Sequence, residues 1–458
     1  MDLYLAFALA SGLVALASVL YLAWGVDPVW ALCGAIACSV FSGNWDHMGV
    51  PIGLDRLLFA GGVLALLIRT PGARDRPPIR VEPVHWLLAA VTLYATGSAA
   101  WVGSLDERTA IFELLDPLGV VPFAMFLIAP VAFRTARQRA ALLGTLLLLG
   151  LYLGLTAIFE ALAFDSLVFP KYVLDPTVGI HEGRARGPFT EAVGMGLGLF
   201  ACGTAAIVTA ALYRQRWLRA AALVVAVLCA VGVLVTLTRA IWLGAMLAAV
   251  VTMLAAPGLR RYLLPAAATA VVLVLGALAL VPGLGERAAE RRGDQEPVWD
   301  RLNTNAAAVN MVSARPLLGV GWDRFDEESA TFFRQGADYP LTGERVGVHN
   351  VLLSRAVELG LLGALLVVAG FVFGVGRAMV TRGPPELVPW RFGLIAITIS
   401  WLVAANLGPL PYAFPNLLLW TWAGVVMGGR HEPVPATAVT QTWTKAGGLL
   451  SAPAPARS

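Results

Sequence analysis

Apolar runs of about 20 residues recur along almost the whole chain, and that is the length an α-helix needs to cross the hydrocarbon core of a bilayer. They centre on 3–24, 29–42, 56–69, 85–103, 117–133, 140–162, 190–212, 220–237, 241–256, 263–282, 351–376, 390–407 and 414–428. Twelve or thirteen spans follow, because 29–42 and 56–69 are short enough for one of them to be re-entrant. Inside a membrane only helices and closed barrels satisfy every backbone polar group, and runs this long are helical. Composition agrees, with 58% hydrophobic and only 14% charged residues, against roughly 25% charged in soluble domains. The expectation is an all-α polytopic integral membrane protein. A cytosolic enzyme and a nucleic-acid binder are both excluded, since the net charge of +4 resides in short interhelical loops and forms no polyanion footprint.

Arginine sets the orientation. One series of short loops holds Arg69, Arg74, Arg76 and Arg80, then Arg134, Arg137 and Arg139, then Arg214, Arg216 and Arg219. It continues with Arg260 and Arg261, then Arg377, Arg382 and Arg391. These loops are poor in acids and should be cytoplasmic. The alternate loops carry Asp106, Glu107, Glu113 and Asp116, then Asp165, Asp175 and Glu182, and should face outward. The chain divides accordingly into an N-terminal transmembrane bundle over 1–282, with an outer loop at 163–189, a large outer loop at 283–350, C-terminal transmembrane helices at 351–430 and a disordered cytoplasmic tail at 431–458. Within the large loop, 299–315 has helical spacing, with Leu302, Val309 and Met311–Val312 broadly on one side. Cys33, Cys38, Cys202 and Cys229 fall in apolar runs and read as small core hydrophobes. No internal repeat of the kind many transporters carry is visible.

Where the large loop re-enters the membrane the sequence reads GVHNVLLSRAVELGLLG. Asn350 is a natural N-cap for the helix that follows. It would fix His349 at a helix start on the membrane surface, where an imidazole titrating near neutrality suits general-base work. An interfacial histidine that only hydrogen-bonds to the loop would fit the same position. Arg184 and Arg186 stand in EGRARGPF before an outer helix entrance, and Arg239 interrupts two apolar runs in LTLTRAIWLG. An arginine there is costly unless paired or facing a polar cavity, and guanidinium is the preferred fork for phosphate oxygens. A snorkelling arginine is the structural alternative. Glu358 follows Arg355 by three residues, the spacing of a helical ion pair. Asp323, Asp326, Glu327 and Glu328 crowd together in WDRFDEESA as an acidic helix start. No spacing of His, Cys and carboxylates matches a strong metal site, and P-loop and Rossmann glycine patterns are missing.

Taken together, SARPLLGVGWDRF and VGVHNVLLSRAVELGLLGALLVV resemble the O-antigen ligase and polymerase family of bacterial envelopes. The matching residues are Pro316, Leu317, Gly319 and Gly321, then His349, Asn350, Leu353, Glu358, Leu359 and Gly360. Thr238, Arg239, Ala240 and Trp242 resemble the family's "Ser-Arg-Gly-Ala-Trp" element, and Arg186 matches its arginine-bearing helix entrance. The resemblance covers about residues 184 to 376. It implies a GT-C-like fold of about twelve helices in the bacterial inner membrane, with a partly helical periplasmic loop and a periplasmic active site. The implied donor is a glycan on undecaprenyl pyrophosphate, and the implied acceptor is a glycan or a glycolipid such as lipid A-core. His349 would act on the acceptor hydroxyl. Arg186, Arg239 and Arg184 would bind the donor pyrophosphate, with Asn350 and Glu358 in support. No metal or cofactor is expected, and membrane lipids rather than nucleic acid surround the chain. A polymerase joining lipid-linked repeats would share these motifs. A lipid-linked glycan transporter or an assembly scaffold would use them without catalysis.

Overall fold

The structure is a computed structural model that describes residues 2–69, 79–117, 119–180, 183–281, 283–286, 289, 296–333 and 347–429. Arg74, Arg76, Glu182, part of the large loop and the tail at 431–458 lie outside the described residues. The described residues form an all-α protein without strands. Its main helices are α1 (Asp2–Gly25), α2 (Pro28–Cys38), α3 (Leu54–Arg69), α4 (Pro83–Val102), α5 (Arg108–Leu115), α6 (Val120–Ala132), α7 (Ala136–Ala161) and α8 (Ala192–Leu212). They continue with α9 (Arg216–Val235), α10 (Arg239–Ala255), α11 (Leu263–Leu280), α12 (Glu296–Ala314), α13 (Val351–Phe371), α14 (Val388–Ala405) and α15 (Ala413–Gly428).

Each apolar run lies on a helix, and local signals explain several boundaries. Asp27 accepts from Val29 N at 2.9 Å, with Pro28 at the first helical position of α2. Thr135 and Gln138 make a reciprocal capping box at the start of α7. Among the described residues seven helices are long and apolar enough to cross a membrane, and four shorter apolar helices accompany them. Helices α8 and α15 form the centre: nearly every residue of α15 is buried, and α8 packs on α7, α9 and α14. Glycines allow the close approaches that helices in a bilayer need for packing. A Cβ at Gly154 of α7 would come within 3.0 Å of Leu228 on α9, and one at Gly393 of α14 within 2.8 Å of Trp422.

The two loop series distinguished by charge gather at opposite ends of the bundle. At the acidic end Asn44 Nδ2 donates to Pro188 O at 3.1 Å, Arg324 pairs with Glu107 at 3.4 Å and Asn350 Nδ2 donates to Asn406 Oδ1 at 3.2 Å. At the arginine-rich end Arg139 approaches Glu386 at 3.8 Å and Arg377 approaches Glu82 at 4.0 Å. Cys33, Cys202 and Cys229 are buried and all four cysteines are free.

Helix α12 corrects one expectation. It is helical as the spacing requires, and Met311 and Val312 pack in a core cluster, but Leu302 and Val309 are exposed. Its buried stripe is Thr304, Ala307, Ala308 and Met311. Small side chains at 304, 307 and 308 let α12 lie close against α13, with Met311 adding apolar bulk to the packed face.

Candidate active site

The site is built on an interlock between the large loop and α13. At Gly360 the helix breaks, with φ 68° and ψ 179°. Leu361 N, which would ordinarily bond Val357 O, turns to Pro316 O at 2.8 Å. The loop supplies replacements: Val320 N donates to Val357 O at 2.9 Å and Gly321 N to Glu358 O at 3.0 Å. Tyr94 of α4 donates its hydroxyl to Leu359 O at 3.1 Å. The backbones approach so closely that a Cβ at Gly319 would sit 2.3 Å from Val357 O, and one at Gly360 would sit 2.1 Å from Leu317 O. Both positions have φ near +70°, which glycine adopts without a side-chain penalty. Pro316, Leu317, Gly319, Gly321 and Gly360 are thus joinery, and they explain why a Pro-Leu-x-Gly-x-Gly turn accompanies a Glu-Leu-Gly helix. Trp322 completes the joint, fully buried, with Nε1 donating to Ala110 O at 3.2 Å.

This joint positions a buried charge network. Arg355 pairs with Glu358 at 2.6 Å and with Glu113 of α5 at 3.0 Å, and its guanidinium lies 4.3 Å from the Trp322 ring centroid. Glu358 is buried, so the ion pair expected from its spacing is present. Asp323 has positive φ and accepts from Thr109 at 3.0 Å. Burial and then the Glu113 charge push its carboxyl up to about 6. The other acids of that stretch disperse: Glu327 pairs with Arg324, and Glu328 lies 3.7 Å from Arg315.

At the start of α13 Asn350 is the N-cap, accepting from Leu353 N at 3.0 Å. His349 beside it is half-buried and makes a backbone hydrogen bond to Gly347. Burial lowers its pKa from the ordinary value, and the charge of Arg301 lowers it further. Arg301 comes from α12 and is itself lowered by burial and by the charge of Arg239. Arg239 is exposed at the first position of α10. Three elements distant in sequence therefore bring Arg239, Arg301 and His349 into one electrostatic cluster. Neither arginine is ion-paired among the described residues. Arg301 Nε and His349 Nδ1 are buried with no hydrogen-bond partner among the described residues. Buried polar atoms ordinarily have partners, so an anion and a proton-bearing ligand are what this constellation can accept.

The neighbouring arginines differ. Arg186 is buried and holds the outer loop: Nε and Nη2 donate to Val173 O at 3.2 and 3.0 Å, Nη2 to Asp175 O at 2.6 Å and Nη1 to Val178 O at 2.9 Å. Its own amide and that of Gly187 are gripped by Glu160 at 3.0 and 2.9 Å. Arg184 Nε, two residues earlier, is buried without a hydrogen-bond partner among the described residues. Arg186 is thus joined to the loop rather than to Arg239 and His349.

Sequence reasoning did not single out Arg301, Glu113 as a partner of Arg355, or Glu160. A signal for Arg301 exists, since it lies three residues before Thr304 on the stripe 301, 304, 308, 311 that α12 buries. It was obscured because the larger apolar residues of that helix point elsewhere. Residues 224–368, which include Arg239, Arg301, His349 and Glu358, match the family model described as O-Antigen ligase. No curated protein matches the chain.

Proposed function

From the O-antigen ligase family domain that the chain carries over residues 224–368, we propose that this is a membrane glycosyltransferase of the bacterial inner membrane. It moves a glycan from undecaprenyl pyrophosphate to a hydroxyl of lipid A-core or a similar glycolipid. The fold is GT-C-like with about twelve spans, and the acidic end that holds His349 faces the periplasm. Residues 1–282 and 351–430 form the transmembrane bundle, 283–350 the periplasmic loop and 431–458 a cytoplasmic tail.

One observation carries the reading: the charge of Arg239 acts on Arg301 and that of Arg301 on His349, while Arg301 Nε and His349 Nδ1 are buried with no hydrogen-bond partner among the described residues. The acceptor oxygen attacks the anomeric carbon of the donor, and the bond from that carbon to the phosphate oxygen breaks. Undecaprenyl pyrophosphate departs with the electron pair, and the acceptor's proton passes to His349. Charge that develops on the leaving oxygens is met by Arg239 and Arg301. Arg184 offers a third guanidinium. Arg186, engaged by four hydrogen bonds to loop carbonyls, acts as a positioning residue, and Asn350 and Glu358 hold the helix that carries His349. Neutralisation by arginine requires no metal.

The test is reconstitution of the purified protein with undecaprenyl-pyrophosphate glycan, with lipid A-core offered or withheld and products resolved as a gel ladder. Glycan on lipid A-core only when that acceptor is present is the expected result. A ladder that grows from donor alone would instead establish a polymerase. Donor binding without product in either lane would sink the glycosyltransferase reading in favour of transport.

A further inference from the structure

Beside the arginine cluster lies a cavity of about 180 Å³ with the opposite electrostatic character. Its polar wall is Glu113, Asp323, Asp326, Ser354, Arg355, Glu358 and Asn416, and its apolar wall includes Phe371, Trp401 and Trp420. Four carboxyl groups share the cavity with one guanidinium, so an anionic pyrophosphate is repelled here. Thr109 engages one carboxylate oxygen of Asp323, and Arg355 one of Glu113 and one of Glu358. Among the described residues no hydrogen bond engages Asp323 Oδ1, Glu113 Oε1, Glu358 Oε1 or Ser354 Oγ. These are hydrogen-bond acceptors held on rigid elements, against aromatic rings that are themselves fixed. Trp401 Nε1 donates to Asn416 at 2.7 Å, its ring stacks on Phe371 at 5.1 Å, and Trp420 packs edge-on to Phe371 and Phe123. Carboxylates and aromatic rings that line one cavity match a sugar ring, whose hydroxyls donate to the first and whose C–H groups pack on the second. The volume suits one ring rather than an oligosaccharide. Gly347, Val348 and Val351 line the same cavity, so the segment that carries His349 forms its rim.

We propose that this cavity is the acceptor subsite: it binds one neutral sugar ring of the acceptor and presents its hydroxyl to His349, apart from the arginines that hold the donor. The proposal rests on the glycosyl-transfer reading for its role, but sugar occupancy of the cavity can be measured without turnover. Donor and acceptor are sorted by charge: His349 feels the Arg301 charge, whereas the carboxylates line the cavity that Gly347 and Val348 border.

Two arms test it on the full-length protein in lipid nanodiscs. In the first, saturation-transfer NMR with methyl glucoside, methyl galactoside, methyl mannoside and N-acetylglucosamine reads sugar binding directly. A signal from at least one of these sugars is expected in wild type and in Arg239→Ala, but lost in Asp323→Asn and Trp401→Phe. Asparagine tolerates the left-handed backbone of position 323, and phenylalanine keeps a ring at 401, so both variants should fold. In the second arm, transfer kinetics should give an acceptor KM at least tenfold higher for Asp323→Asn and Ser354→Ala, with donor KM within twofold of wild type. No sugar signal in wild type, or equal signals in all variants, overturns the proposal. Unchanged acceptor KM in both cavity variants overturns it as well. A specific sugar signal from a protein that transfers nothing would leave the subsite standing and remove the transferase reading alone.

Discussion

At the scale of single residues, His349 and Arg301 are coupled through charge, and that coupling has a sign. Burial, and then the Arg301 charge, hold the His349 pKa below its ordinary 6.5. Asp300, next to Arg301, pulls the other way. A base must be neutral to accept a proton, so activity is present above the folded pKa and lost as pH falls through it. The acid limb of the transfer profile is expected to inflect below 6.5. Arg301→Gln should move that inflection upward, toward 6.5, and also reduce turnover, since the proposed transfer sets Arg301 against the leaving pyrophosphate. His349→Ala should cost about 10²- to 10⁴-fold in rate, the usual worth of a positioned general base, with insertion in the membrane unaffected. Profiles at saturating donor provide the check. An inflection that stays put in Arg301→Gln would separate the two residues and dissolve the cluster as a functional unit.

At the scale of elements, the break in α13 ties the loop to the membrane helix, and glycine is what permits it. A side chain at Gly360 meets two obstacles: φ of 68° and the Leu317 carbonyl 2.1 Å from the Cβ position. With ψ at 179° the backbone lies in a region essentially reserved for glycine, which costs another residue about 1–3 kcal/mol, and backbone oxygen cannot swing aside as a flexible side chain could. Gly360→Ala is therefore expected to lower the yield of monodisperse protein and its apparent melting temperature. Gly97→Ala, on α4 beside α13, has nothing within 4 Å of its Cβ position and should be tolerated. Size-exclusion profiles and thermal scans of both variants decide it, and a Gly360→Ala protein as stable as Gly97→Ala would mean that the interlock is not needed for folding. The sequence motif advertised this joint but not its nature. A Pro-Leu-x-Gly-x-Gly string can be read as a turn, whereas its union with Gly360 depends on two backbones forty residues apart. Similarly, Asn350 as a cap and Arg355–Glu358 as a pair were legible because both are local, one within a helical turn and the other at a spacing of three. Arg301 beside His349, Glu113 on Arg355 and the capture of Arg186 by the outer loop are contacts between distant elements, which spacing along the chain cannot reveal.

At the scale of the whole molecule, hydropathy and arginine placement were legible because a bilayer imposes them on the sequence directly. Apolar runs became helices, and the two loop series segregated to opposite ends of the bundle. Which end meets the periplasm is a matter of arginine asymmetry, and it decides whether His349 can meet a periplasmic acceptor. The cysteine content makes this testable, since all four are free and three are buried. With Cys33, Cys38, Cys202 and Cys229 replaced by alanine, a single cysteine can be installed at Arg315, which is 52% exposed at the acidic end. A second reporter can be placed at Arg214, in the loop between α8 and α9, or at Arg216, the first residue of α9. In spheroplasts a membrane-impermeant maleimide is expected to label Arg315→Cys and to spare Arg216→Cys until the membrane is opened by detergent. The reverse pattern would put His349 on the cytoplasmic side, away from a periplasmic acceptor. It would overturn the proposed transfer to lipid A-core even if the isolated protein bound sugar and pyrophosphate as its charges suggest.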